Sequence, residues 1–218
     1  MDERICYVVG AGEFVGPPPT ADDFVIAADG GFAHLRALGA QADLVLGDFD
    51  SLGAPPAHPH LLRLPREKDD TDMLAALREG LARGFRAFHL HGGTGGRIEH
   101  TLANLQCLAF LAGQGAHGYL FGRDRVMTLL AGGALRFDAA CRGFISAFSY
   151  SDACAGVCER GLKYTLEDAA LTSSFPVGVS NEFVGEPACV SVQQGLLLLV
   201  WERQAHGLGA QRVPDCGI

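Results

Sequence analysis

Four short acidic clusters lie in the first hundred residues, and each stands beside glycine or at a predicted helix start. They are ADGG at residues 28–31, GDFDS at 47–51, KDDTD at 68–72 and GGTGGRIEH at 92–100. Two unit charges about 4 Å apart repel by roughly 4 kcal/mol at a protein surface, so converging carboxylates need a cation between them. Hard oxygen ligands without a Cys or His cluster favour Mg²⁺. The clusters therefore predict one divalent-metal and phosphate site.

The second cluster contains two aspartates, Asp48 and Asp50, separated by one residue. In an extended segment they point to the same side of the chain, which suits a shared metal ion. The same spacing occurs in the DxD motif of aspartyl-phosphate phosphatases, where the first Asp is the nucleophile. A solvated acidic turn after a strand would also explain the pattern, so three interpretations of this segment stay open.

The third and fourth clusters precede helices. Asp69 and Asp72 lie three residues apart, share a face, and gain about 0.3–1 kcal/mol each from the positive end of the helix dipole. In the fourth cluster the glycines let the backbone approach an anion closely, and the helix that follows directs free amides toward it. The spacing of Arg97, His100 and Asn104 places them on one side of that helix.

Two glycine motifs differ from the common dinucleotide and phosphate loops. GGTGGR lacks the Gly-Lys-Ser/Thr ending of a P-loop. Gly10 and Gly12 follow a predicted strand, but Gly16 comes one residue late for GxGxxG, and prolines occupy the start of the expected helix. We therefore expect an unconventional anion cradle at residues 92–97 and no nicotinamide site.

The clusters depend on alternating strands and helices for their positions. Apolar runs predict strands at residues 5–9, 24–28, 44–46 and 87–91, and helical periodicity predicts helices at 32–38, 71–83 and 98–112. This alternation is typical of an α/β domain with a mostly parallel sheet. ADGG and GDFDS directly follow two of the strands, at the carboxyl ends where open α/β sheets bind ligands.

Helical periodicity fades after about residue 124. Short β-type runs at 126–130, 143–148, 190–192 and 196–201 are interrupted by Gly, Ser and Pro. We predict an α/β domain at residues 1–124 and an all-β domain at 125–218. The residues from Ala205 onward are rich in Gly and polar side chains, which predicts a frayed tail.

The composition restricts the partners and the location. The formal net charge is −8, which argues against a nucleic-acid surface because phosphate-backbone binding needs clustered Lys and Arg. No apolar run approaches the ~20 residues of a membrane span, and the first residues do not resemble a signal peptide. The seven cysteines are scattered without a CxxC pair, which predicts reduced thiols. We expect a cytoplasmic protein that binds neither nucleic acid nor membrane.

Six motifs together resemble those of a known family. AADGG, GDFDS, KDDTD and GGTGGRIEHTLANL, followed by GLKY at 161–164 and SNEF at 180–183, are similar in order and approximate spacing to the thiamine pyrophosphokinase (thiamine diphosphokinase) family. The resemblance covers about residues 5–201. It implies an N-terminal α/β catalytic domain and a C-terminal β-sandwich that binds thiamine and forms a homodimer. It also implies ATP as cosubstrate, Mg²⁺ as cofactor, and transfer of diphosphate to the thiamine hydroxyl with release of AMP.

The resemblance implies roles for residues in the first domain. Asp48, Asp50 and Asp72 are expected to bind the metal and the phosphates, and Arg97 is expected to neutralise charge during the transfer. The residues expected to hold the nucleotide or its phosphates are Asp29, Gly30, Asp69, Thr71, Gly93, Thr94, Gly95, Gly96, His100 and Asn104.

The resemblance also implies a set of residues for thiamine. Tyr164 replaces the Trp of some members and would offer an aromatic face, while Ser180 and Asn181 would form hydrogen bonds to the pyrimidine. Glu99 is assigned to the substrate as well. It stands where many members carry Asp, so its carboxylate is displaced by one methylene.

Three other functions stay open at this point. The chain could be a pyrophosphokinase for another alcohol, such as a pterin carbinol, which differs only in the acceptor pocket. It could be a magnesium-dependent phosphatase with Asp48 as nucleophile, which releases inorganic phosphate instead of AMP. It could also be a nucleotide-binding sensor without catalytic activity.

Overall fold

The computed structural model describes residues 4–49, 55–65, 67, 69–205 and 207–217. The chain divides into two compact units, Met1–Arg123 and Asp124–Ile218. Each unit has its own strands and its own buried apolar residues. Within the described residues, no helix is long and apolar enough to cross a membrane.

The first unit combines a parallel sheet with helices. Its strands are β1 (Ile5–Val9), β2 (Phe24–Ala28), β3 (Leu44–Gly47), β4 (Leu61–Arg63), β5 (Ala87–His91) and β6 (His117–Phe121), and its helices are α1 (Gly31–Leu38), α2 (Asp72–Ala82) and α3 (Ile98–Gly113). The strands pair in parallel in the order β6-β5-β1-β2-β3-β4. The chain moves outward from β1 to β4 and returns to the other side of β1 with β5. Open parallel sheets form a ligand crevice at such a switch point.

Burial on both faces explains why β1 and β2 are central in this sheet. Four of the five residues in each strand are buried, as expected for parallel strands covered on both sides. One apolar core cluster consists of Tyr7, Val9, Val25, Ala27, Leu35, Val45 and Phe49. Helix α2 begins at Asp72 because the Thr71 hydroxyl accepts a hydrogen bond from the Leu74 amide at 3.2 Å.

The second unit consists of antiparallel strands. They are β7 (Arg125–Leu130), β8 (Gly133–Phe137), β9 (Phe144–Ser149), β10 (Ala153–Arg160), β11 (Leu166–Thr172), β12 (Asn181–Glu182), β13 (Ala188–Val192), β14 (Leu197–Glu202) and β15 (Ala210–Val213). Strands β12-β9-β14-β7 pair in one sheet and β11-β10-β13-β8-β15 in another. Trp201 of β14 is fully buried and meets Phe137 of β8 with ring centroids 5.5 Å apart. The two sheets of this unit therefore share apolar contacts.

The predicted and observed elements agree best in the strands next to the switch point. The strands predicted at 5–9, 24–28 and 87–91 match β1, β2 and β5, and the helix predicted at 98–112 matches α3 within one residue. The sequence pattern does not predict β4, β6 or five strands of the second unit. Strand β11 illustrates the reason, since only Leu171 among its seven residues is buried and its apolar pattern is weak.

Two predictions about the end of the chain are wrong. The segment predicted as a frayed tail contains β15, which pairs with β8. The prediction of seven reduced thiols fails because Cys189 and Cys216 form a disulfide with Cα atoms 5.7 Å apart, while the other five cysteines are free. These two cysteines are 27 residues apart in sequence. Strand β8 lies between β13 and β15, and this pairing, which the spacing of cysteines does not reveal, brings the tail to Cys189.

Candidate nucleotide and metal site

A cavity of about 750 Å³ lies in the first unit, at the carboxyl ends of β1, β2 and β5. Its walls also include the starts of α2 and α3. Ligand pockets typically measure about 300–1,000 Å³, so the cavity has the size of a nucleotide site. Nine of the residues predicted for the site line it: Asp29, Thr71, Asp72, Gly93, Thr94, Gly96, Arg97, His100 and Asn104.

Two glycine-rich loops form one wall of the cavity and are hydrogen-bonded to each other. The Gly10 amide donates to the His91 carbonyl at 2.8 Å, and the Gly12 amide donates to the Gly92 carbonyl at 2.7 Å. A Cβ atom on Gly12 would lie 2.6 Å from the Gly92 oxygen and 2.7 Å from that of Thr94. Only glycine permits this close approach, so the loop after β1 and the loop after β5 form one backbone surface.

The loop after β1 is held in place by aromatic side chains from the sheet. The Tyr7 hydroxyl donates to the Pro17 carbonyl at 2.6 Å. His91 is fully buried, and its Nδ1 lies 2.7 Å from the Val15 carbonyl. The His91 ring stacks between Tyr7 and Phe121, at centroid distances of 4.3 and 4.4 Å. These contacts fix the loop that carries Gly10 and Gly12.

Three carboxylates line the cavity: Asp29, Asp70 and Asp72. One oxygen of Asp29 and one of Asp72 are buried. The Asp70 carboxylate forms an ion pair with Arg78, with Oδ2 and Nε 2.8 Å apart. Within the part of the chain that the structure describes, no three His, Cys, Asp or Glu side chains form a ready metal-binding group. Mg²⁺ in phosphate sites usually binds one or two carboxylates together with substrate phosphates and water. The donor set along this cavity fits that chemistry.

Two other predicted acids, Asp48 and Asp69, are not among the residues that line the cavity. Asp48 is half-buried after β3, and Asp69 is exposed. Asp50 lies outside the described residues. Phe49, between the two aspartates of GDFDS, is buried and has a φ of 59°. A positive φ in a bulky residue is strained, so the buried ring holds this turn in an unusual backbone conformation.

The start of α3 presents the predicted cation. The Arg97 side chain is 71% exposed, its Nε lies 3.4 Å from Glu99 Oε1, and its guanidinium also contacts Nε2 of His100. Arg97 and His100 line the cavity, whereas Glu99 does not. Asn104 is buried one turn further along, and its Nδ2 donates to the Gly93 carbonyl at 2.7 Å. Asn104 therefore supports the glycine loop from beneath.

Several lining residues were missed by sequence reasoning. Gly10, Ala11 and Gly12 line the cavity, although their motif fails the dinucleotide fingerprint. Their position directly after a buried strand is the sequence feature that could have identified them. Asp70 faces the cavity in place of its predicted neighbour Asp69, because the chain enters α2 at Thr71 in an extended conformation. Of the two remaining predicted residues, Gly30 precedes α1 and Gly95 packs against Glu13, and neither is in the lining.

The residues predicted for thiamine lie in the second unit. Tyr164 is 61% exposed, and Lys163 Nζ lies 5.6 Å from its ring centroid. Ser180 is exposed with a φ of 61°, and its amide donates to the Ser146 hydroxyl at 3.0 Å. Asn181 is buried and forms hydrogen bonds with the backbone of Tyr164 and with Glu159. The sequence did not indicate Glu159, which belongs to none of the six motifs.

A crevice at the switch point of a parallel sheet, with glycine loops, helix starts and carboxylates around it, is typical of α/β enzymes that bind a nucleotide with a metal ion. Two family models match the chain: the thiamin pyrophosphokinase catalytic domain at residues 20–118, and the thiamin pyrophosphokinase vitamin B1 binding domain at residues 136–197. The first match contains most of the cavity residues, and the second contains Tyr164, Ser180 and Asn181.

Known proteins agree with these matches over most of the chain. Thiamine pyrophosphokinase of Bacillus subtilis is 26% identical over 182 residues, which is 80% of this chain and 85% of that protein. The crystal structure of thiamin pyrophosphokinase from Geobacillus thermodenitrificans has a TM-score of 0.79 at 26% identity, covering 94% of this chain and 100% of the other. The B. subtilis enzyme structure shares the fold, with a TM-score of 0.80, 23% identity, and coverage of 90% and 98%. The chain belongs to the thiamine pyrophosphokinase family.

Proposed function

We propose that this chain transfers a diphosphate group from ATP to the hydroxyl of thiamine, giving thiamine diphosphate and AMP. The observation that supports this most strongly is the coincidence of the catalytic-domain match with the glycine and carboxylate cavity. In the reaction the hydroxyl oxygen attacks the β-phosphorus of ATP. The bond from that phosphorus to the oxygen that bridges to the α-phosphorus breaks, and AMP leaves with the electron pair. The hydroxyl proton passes to a carboxylate of the site or to water.

In phosphoryl-type transfer a protein contributes mainly by positioning the reacting groups and by stabilising the negative charge of the phosphates. The backbone surface formed by the loops at Gly10–Gly12 and Gly92–Gly96 supports a role in holding the phosphates. The amino-terminal ends of α2 and α3 border the cavity as well, and helix starts favour anions. Arg97 is exposed beside these amides. We therefore propose that its guanidinium neutralises the negative charge that gathers on AMP and on the transferred diphosphate.

Asp29, Asp70 and Asp72 are the described residues that would hold Mg²⁺, together with Asp48 and Asp50 as predicted from GDFDS. When bound, Mg²⁺ supplies neutralisation of the phosphate charges. The Thr71 hydroxyl caps α2 and fixes its first turn, and this turn carries the Asp72 carboxylate that lines the cavity. Burial raises the pKa of Cys107, near Thr71, to about 11, so this thiol stays protonated and is no nucleophile at neutral pH.

We infer that the second unit binds thiamine through Tyr164. A cationic thiazolium beside an aromatic face gains about 0.5–2 kcal/mol. The exposed ring of Tyr164 already lies near the ammonium group of Lys163, which in turn pairs with Glu182 at 3.0 Å. The ring thus has a geometry that accepts a cation, and thiamine would use the face that Lys163 leaves open.

A homodimer is supported by apolar side chains exposed on the second unit. A contiguous apolar surface commonly marks an interaction site. The exposed large apolar residues of this unit are Phe144, Tyr164, Phe175, Val177, Val179 and Val184. Assembly as a homodimer and a cytoplasmic location stay predictions, and light scattering on the purified chain tests the former.

One assay separates the candidate functions. The chain is incubated with ATP, Mg²⁺ and thiamine, and the products are quantified by chromatography. We expect AMP and thiamine diphosphate in equal amounts. Inorganic phosphate in place of AMP would indicate the phosphatase, AMP only with a pterin carbinol would indicate another acceptor, and ATP binding without turnover on any alcohol would indicate a sensor.

A further inference from the structure

Glu159 is an acidic residue at an inward position of β10. It is 3% exposed, whereas its neighbour Arg160 faces outward and pairs with Glu167 at 2.9 Å. Burying a carboxylate is costly unless it is paired and hydrogen-bonded. Among the described residues, Glu159 Oε2 accepts one hydrogen bond, from Asn181 Nδ2 at 2.6 Å, and Oε1 is buried with no hydrogen-bond partner. A chain does not gain stability from such an arrangement, which suggests a functional reason for it.

The partner of Glu159 uses all of its hydrogen-bonding capacity. Asn181 Oδ1 accepts from the amides of Tyr164 at 3.0 Å and Glu182 at 2.9 Å. Its Nδ2 donates to Glu159 and to the Tyr164 carbonyl at 2.7 Å. A side-chain amide has two donors and two acceptor positions, so no donor or acceptor remains for a ligand. Asn181 therefore acts on Tyr164 and not on thiamine in this arrangement.

Asn181 binds Tyr164 on both sides of the same residue. One side-chain amide contacts the amide and the carbonyl of Tyr164, and this fixes the backbone from which the exposed ring projects. The neighbouring residues add a backbone hydrogen bond from the Lys163 amide to the Glu182 carbonyl at 3.0 Å and an ion pair between the side chains of the same two residues. Glu159 reinforces this orientation of the Asn181 amide, because it accepts a hydrogen bond from Nδ2 on the buried side.

We propose that Glu159 is a positioning residue for the thiamine subsite, where it orients Asn181 and thereby holds the ring of Tyr164 in place for the substrate. This inference rests on the proposed function, since it assigns Tyr164 to thiamine. It adds a buried acid of β10 to the exposed residues of the site. Burial raises the pKa of Glu159, and a carboxyl oxygen accepts a hydrogen bond in the ionised and in the protonated form.

The test compares Glu159→Gln with Glu159→Met in the full chain. Gln retains an oxygen that accepts from Asn181, whereas Met has a similar length and no such acceptor. For Glu159→Met we expect a rise of about tenfold or more in KM for thiamine, with less than a twofold change in KM for ATP, while Glu159→Gln stays within about threefold of wild type on both. The matched control is Ser149→Ala, which removes another buried polar group of the second unit.

Three results would overturn the proposal: an unchanged thiamine KM in Glu159→Met, an equal rise for both substrates, or a Gln variant as impaired as the Met variant. Should Glu159→Met fail to fold by circular dichroism, Glu159→Asp replaces it, since one methylene less withdraws the acceptor from Asn181. Calorimetric titration with thiamine provides a readout without turnover. If wild type binds thiamine but makes no thiamine diphosphate, the proposed reaction fails while the effect of Glu159 on thiamine affinity is still measured.

Discussion

The two units present the residues proposed for function in different ways. In the first unit the residues stand on loops and helix starts at the carboxyl ends of parallel strands, where glycine and acidic side chains are consecutive in the chain. In the second unit Tyr164, Asn181 and Glu159 come from separate antiparallel segments and meet through side-chain hydrogen bonds. A site built on strand ends leaves a readable pattern, whereas a site built across strands leaves isolated residues. The difference teaches that motifs indicate most of the residues along the first unit's cavity, whereas in the second unit they indicate Tyr164 and Asn181 but not the buried Glu159 that contacts Asn181.

The largest expected effect tests the first unit. Asp72→Asn should lower kcat at least about 100-fold, the size typical of removing one charge-stabilising group, because a cavity-lining carboxylate is lost while the helix start is retained. Steady-state AMP formation at saturating Mg²⁺ measures this. Asp22→Asn, which changes an exposed acid of the same unit outside the cavity, should leave turnover unchanged. A wild-type kcat in the Asp72 variant would remove this carboxylate from the proposed metal site.

The second prediction concerns the joined glycine loops. Gly12→Ala places a methyl group against the carbonyl oxygens of Gly92 and Thr94, so we expect KM for ATP to rise about tenfold and stability to fall by about 1–3 kcal/mol. Urea denaturation and ATP titration measure the two effects. Gly113→Ala is the matched control, because its added methyl meets nothing within 4 Å at the end of α3, and it should leave ATP affinity unaltered. Equal behaviour of the two variants would contradict the role of the loop contact.

The third prediction tests the second unit. Tyr164→Ala should raise KM for thiamine about 2- to 30-fold, which corresponds to the 0.5–2 kcal/mol of a cation on an aromatic face. Tyr164→Phe should retain wild-type KM because the ring is preserved. KM for ATP should stay the same in both variants, since the cavity proposed to bind ATP lies in the first unit. A larger change in KM for ATP than in KM for thiamine would contradict the proposal that the two units bind different substrates.

The last prediction concerns stability rather than activity and is a pH dependence in the first unit. Burial lowers the pKa of His89 from 6.5 to about 4, against a smaller opposing effect of Asp23, and the ring packs against Tyr119 and Phe121. The unfolded chain therefore takes up a proton below pH 6.5 that the native chain does not, and stability falls as the pH drops from about 6.5 to 4. Each unit of pKa shift corresponds to about 1.4 kcal/mol.

His89→Phe should flatten this decline by about 2–3 kcal/mol at pH 4, since the aromatic packing is retained and the titrating group is removed. Urea denaturation at pH 7, 5.5 and 4 measures the slope for both proteins. An identical slope in the variant would show that His89 is accessible to protons in the native state.

The chain itself determined the elements around the switch point. The buried apolar runs of β1, β2 and β5 are long enough to be recognised, and the Thr71 cap and the glycines before α3 mark where helices begin. The carboxyl ends of parallel strands and the helix starts beside them meet at one edge of a sheet, so the sequence predicts that Asp29, Thr71, Asp72 and Gly93 lie together, and all four line the cavity. The family, too, is predicted by the sequence, because the order and spacing of the six motifs are features of the chain itself.

Tertiary structure alone decided which of two adjacent acids faces the cavity, that Gly10 and Gly12 join the loop after β5, and that Cys189 pairs with Cys216. It also decided that the side-chain amide of Asn181 forms its hydrogen bonds with Tyr164, Glu159 and the Glu182 amide. Each of these depends on the pairing of strands or on the rotation of a helix start, which brings together residues far apart in the chain. Local sequence patterns encode periodicity and caps, whereas the partner of a buried polar group is set by the packing of the whole unit.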